Sequence, residues 1–66
     1  MQVEVLGNVY DVEARGRAKA VAKAVALATG LDERDIQQVG FLKYIRGGVV
    51  YVVIVNGTTI SATVLQ

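Results

Sequence analysis

The sequence predicts one α+β domain over residues 1–66, with the element order ββαβββ and its helix packed on an antiparallel sheet. Three observations carry this. Residues 2–12 alternate around a glycine turn. Residues 15–29 are rich in Ala and are closed by Gly30. Two strong hairpin signals, Gly47-Gly48 and Asn56-Gly57, then divide the apolar C-terminal part into three strands.

In the first segment Val3 and Val5 alternate with Gln2 and Glu4. Gly7-Asn8 reads as a two-residue turn that sets Val5 opposite Tyr10 and Val3 opposite Val12. Glu4 then opposes Asp11, a mildly unfavourable like-charge pair, so one long bent strand is the alternative. From Arg15 to Thr29 the period turns helical, with Gly30 as its C-terminal stop. Ala14, Ala18, Val21, Val25 and Ala28 share one side, and Arg15, Lys19 and Lys23 form a narrow basic stripe. Ala20, Ala24 and Leu27 lie between, so the helix is apolar around most of its circumference.

Leu31–Ile36 reads as a short helical turn capped by Asp32, with Leu31 stapled against Ile36 and Gly40 closing this piece or opening the next strand. Strands of roughly 40–46, 49–55 and 58–65 follow. The first turn pairs Ile45 with Val50 and Tyr44 with Tyr51; the second pairs Val55 with Thr58 and Val53 with Ile60. Alternation then defines two faces. Leu42, Tyr44, Tyr51, Val53, Val55, Ile60, Ala62 and Val64 are expected beneath the helix. Phe41, Lys43, Ile45, Val50, Val52, Ile54, Thr59, Ser61 and Thr63 are expected on the other side.

Composition gives that second face its interest. The chain is 53% hydrophobic. On the set that counts Gly and leaves out Tyr the share is higher still, against roughly 45–50% in ordinary soluble domains. A domain this short buries only about 60% of the surface its unfolded chain exposes. The longest apolar run, Val49–Val55, is far below the roughly 20 residues of a spanning helix, and no secretory leader pattern opens the chain. The expectation is a cytoplasmic protein that hides its surplus by self-association, a dimer being the simplest case, or against a host or partner protein. Phe41, Ile45, Val50, Val52 and Ile54 are the expected interface. Two alternatives are a sheet that curls while the N-terminal hairpin covers this face, and a hydrophobic ligand groove.

The chemistry-bearing residues are few. There is no Cys and no His, which removes disulfides, thiolate metal sites and the commonest general base. Asp11, Glu13, Asp32, Glu33 and Asp35 are the possible acid–base groups, and helix capping already accounts for Asp32–Asp35. That cluster lacks calcium-loop spacing, and no phosphate-binding or dinucleotide glycine pattern occurs, so neither cofactor, metal nor catalysis is expected. Arg15, Lys19, Lys23 and Arg46 are candidate nucleic-acid contacts through phosphates, although a net charge of +1 also suits a simply solvated helix face. Tyr44 and Tyr51 can stack bases, but the face assigned to them makes a core pair the plainer expectation.

The stretch Tyr10–Ala20, Tyr-Asp-Val-Glu-Ala-Arg-Gly-Arg-Ala-Lys-Ala, resembles a strand-to-helix pattern of small phage-encoded or mobile-element proteins. In these a strand ending in Glu-Ala enters an Arg/Lys/Ala-rich helix, and an antiparallel meander follows. The resemblance implies binding to host proteins or nucleic acid and carries over no active site.

Overall fold

The computed structural model describes residues 1–36 and 38–65, with the backbone alone at 38 and 39. Strands β1 (Gln2–Val5) and β2 (Asn8–Asp11) precede helix α1 (Arg17–Thr29) and a 3-10 turn (Glu33–Asp35). Strands β3 (Gln38–Ile45), β4 (Gly48–Val55) and β5 (Thr58–Leu65) follow. All five strands form one antiparallel sheet in the order β2-β1-β5-β4-β3, so the architecture is the expected two-layer ββαβββ.

The first hairpin turns at Leu6-Gly7, one residue earlier than Gly7-Asn8. Both residues take positive φ, 52° and 82°, the backbone of a type I′ turn, whose twist matches that of the strands. Val5 therefore faces Asn8 and Val3 faces Tyr10. The register moves by two residues, so every side chain keeps its face. Glu4 now opposes Val9, and the like-charge pair with Asp11 does not form. The hairpin also does not fold over the sheet. β1 extends it in plane, pairing Val3 with Val64 and Val5 with Ala62.

Helix α1 begins at Arg17, because Gly16 is extended (φ −159°, ψ 164°) and offers no side-chain cap. It ends where Gly30, at φ 76°, donates its N–H to the Ala26 carbonyl at 2.9 Å. The face against the sheet is Ala20, Val21, Ala24 and Val25, all fully buried. The helical wheel sets Ala20 and Ala24 between the apolar side and the basic stripe, yet both face the sheet. Their small side chains let the helix axis approach the sheet, while Leu27 stays 62% exposed and Ala18 is exposed. Val3, Val5, Val12, Val53, Val55, Ala62, Val64 and Ile36 complete the core, with Leu31 packed against it. No polar or charged residue is buried among the described residues.

In the meander, Asn56-Gly57 turns as expected, with φ of 48° and 76°, and sets Val55 opposite Thr58 and Val53 opposite Ile60. The other turn is Arg46-Gly47 rather than Gly47-Gly48, so Ile45 faces Gly48 and Tyr44 faces Val49. Gly48 belongs to β4, at a point where a Cβ would stand 2.5 Å from the Val64 carbonyl oxygen and 2.9 Å from the Thr63 methyl group. A β-bulge lies between Phe41 and Lys43. Phe41 opposes Tyr51 and Lys43 opposes Val50, leaving Leu42 as the extra residue. The bulge moves Phe41 to the helix side, correcting its expected place on the other face.

Candidate functional site: the open face of the sheet

Strand alternation puts Val49, Tyr51, Val53 and Val55 under the layer of α1, and Val50, Val52 and Ile54 on the reverse side. With the hairpin in plane, no element among the described residues crosses that reverse side. Lys43 and Ile45 join it from β3, as do Thr59, Ser61 and Thr63 from β5, Glu4 from β1 and Val9 from β2.

Four of the five expected interface residues are here. Ile45 is 41% exposed, Ile54 43%, and Val52 half-buried. Val50 is already buried at 9%. A shallow groove lined by Gly40, Phe41, Leu42, Val52 and Ile54 runs beside the bulge. The apolar surface is thus concentrated on β3 and β4, while β5 and β1 contribute hydroxyl groups and a carboxylate.

The helix side of β3 carries a feature missed in the sequence. Phe41 stands edge-on to Tyr44 (ring centroids 5.1 Å apart, 61° between planes) and to Tyr51 (5.9 Å, 73°). Tyr44, expected in the core and opposite Tyr51, is 70% exposed, and Phe41 is 55% exposed. β3 is an edge strand, so its helix-side aromatics are left at the margin of the α1 layer. The available signal was Phe41-Leu42, two adjacent apolar residues that break strand alternation.

The basic residues do not converge. Arg15 and Lys19 are exposed, but Lys23 is half-buried and donates from Nζ to the Glu13 carbonyl at 2.7 Å. Arg46 lies in the turn beside β3, at the opposite edge of the sheet from β2, the strand that leads into the stripe. Among the acidic residues, Asp32 has a structural role. Its Oδ1 accepts from the Arg34 backbone N–H at 3.1 Å, and its Oδ2 accepts from Arg34 Nε and Nη2, both at 3.2 Å. The bonds from the Arg34 side chain, and then that from its backbone, hold the Asp32 carboxyl below its ordinary value of 3.8. Among the described residues no group of three carboxylates is placed to hold a metal ion, and no helix is long and apolar enough to cross a membrane.

Comparison of the chain with protein-family models, with curated proteins and with solved structures finds no match.

Proposed function

We propose that this protein is a small non-catalytic interaction module that self-associates through the open face of its sheet. The observation that carries this reading is the exposure of Ile54 beside Val52, and of Ile45 at the far end of β3, on a face that no element among the described residues covers. Fully burying such a side chain is worth about 1.5–3 kcal/mol, so covering the partly exposed set recovers several kcal/mol. Chains this small, with neither disulfide nor metal, commonly gain stability by oligomerising. The basic stripe is the weaker candidate, because Lys23 is engaged with Glu13 and Arg46 stands apart.

Light scattering on a size-exclusion column at micromolar concentration tests the reading. The expected mass is at least twice the chain's 7.0 kDa. Ile54→Lys, at an exposed position, is expected to give a folded monomer by circular dichroism, and Val52→Lys a monomer or an unfolded chain. A stable monomer from the unaltered sequence would falsify the reading.

A further inference from the structure

One row of register partners crosses the open face from edge to edge: Lys43, Val50, Thr63, Glu4 and Val9. Lys43 and Glu4 are both exposed, and neither has an ion-pair partner among the described residues. Three strand spacings of about 4.8 Å separate them, about 14 Å in all, so they cannot pair within one chain.

The midpoint of these two charges falls between Val50 and Thr63. A two-fold axis through that midpoint, parallel to the strands and lying between two stacked sheets, exchanges β3 with β1 and β4 with β5. It carries Lys43 onto Glu4 of the second copy and Glu4 onto Lys43 of the second copy. Val50, Val52 and Ile54 then meet Thr63, Ser61 and Thr59 of the second copy, the register partners that each has across β4 and β5. A two-fold across the strands instead stacks β3 on β3 and β1 on β1, giving each charge no opposite partner. Either axis leaves the strand lines of the two sheets aligned, as in packed sheets that cross at about 30°, so the charges decide between them.

Addition at a sheet edge is disfavoured on both sides. β2 is four residues long, and β3 is interrupted by its bulge and carries Lys43, all features that discourage edge pairing. Size gives a further constraint. Three eight-residue strands, at about 3.3 Å per residue and 4.8 Å apart, present a flat footprint of about 380 Å². Side-chain relief enlarges this, but the total stays at the low end for specific complexes, near the 1,200 Å² class of weak associations. In this arrangement the apolar side chains of β4 cover the threonine and serine side chains of β5, and a mixed contact of that size leaves register to the charges that flank it.

We infer that the open face takes a second copy of this chain, stacked about a two-fold parallel to the strands and framed by two Lys43–Glu4 pairs. This rests on the self-association reading and is tested separately from it. Sedimentation equilibrium of the unaltered protein, K43E, E4K and the double variant K43E/E4K is the experiment. Circular dichroism checks that each is folded. Each single reversal replaces two attractions by two repulsions and is expected to weaken the dimer about tenfold, less at high salt. The double variant is expected to recover to within about threefold of the unaltered protein. A dimer that the single reversals leave unweakened, or that they weaken and the double variant does not restore, overturns this arrangement and leaves self-association standing. An unaltered protein that sediments as a monomer overturns both, and the face then belongs to a different molecule.

Discussion

Phe41 and Tyr51 face each other across β3 and β4, with ring centroids 5.9 Å apart and planes at 73°. This pairing exists because Leu42 is accommodated as a bulge, and it takes Phe41 away from the face on which simple alternation would place it. Phe41→Ala is therefore expected to leave self-association through the open face unchanged. It removes two edge-on aromatic contacts, costing about 1–2 kcal/mol. Denaturant titration combined with light scattering checks both parts. Loss of the oligomer in a folded Phe41→Ala variant would show that the interface reaches Phe41, which also lines the groove with Val52 and Ile54.

Leu6 is a branched side chain held at φ 52° in the first turn, and it is 64% exposed. The left-handed region costs such a residue about 1–2 kcal/mol, and Asn tolerates it. Leu6→Asn creates an Asn-Gly turn without giving up core packing. It is expected to raise stability by about 1 kcal/mol, which thermal melting reads as a gain of about 4–8 °C. An unchanged or lower Tm would contradict the turn geometry.

Gly48 and Gly40 sit in adjacent strands but differ in the room beside them. A Cβ at Gly48 meets the Val64 carbonyl oxygen at 2.5 Å, whereas one at Gly40 meets the Val52 carbonyl oxygen at an ordinary 3.7 Å. Gly48→Ala must push β4 and β5 apart and is expected to cost about 1–3 kcal/mol. Gly40→Ala is expected to lie within about 0.5 kcal/mol of the unaltered protein. Urea titrations of the two variants side by side decide the matter; equal stabilities would show that β4 and β5 are not this close at Gly48.

These positions also show which features the sequence makes legible. Asn56-Gly57 was readable because both residues accept positive φ, which fixes the turn and the register together. The turns at Gly7 and Gly47 were harder. In each, two overlapping dipeptides contain the glycine and give registers two residues apart, and both choices keep the same side chains on the same face. Hydrophobic pattern cannot choose between them; twist at Leu6-Gly7 and the lack of space beside Gly48 bear on the choice only in the folded chain. Ala20 and Ala24 resembled bystanders on the helical wheel for a related reason. Their value is the close approach of helix to sheet, which one strand of text does not display. Of the candidate site, Ile45, Val50, Val52 and Ile54 were legible by alternation alone, and Phe41 was misplaced by the single residue that alternation cannot count.

The pairing of Val3 with Val64 and of Val5 with Ala62 has a kinetic consequence. Two neighbouring strands of the sheet come from opposite ends of the sequence, so their ladder closes a loop of nearly the whole chain. The β3–β4–β5 meander needs only local hairpins and can assemble first, on the microsecond scale of such units. The N-terminal hairpin must then find the free edge of β5 before α1 has a complete surface to cover. Until it does, β5 remains an open edge beside an uncovered apolar face, and that interval is when the chain is most exposed to misassociation.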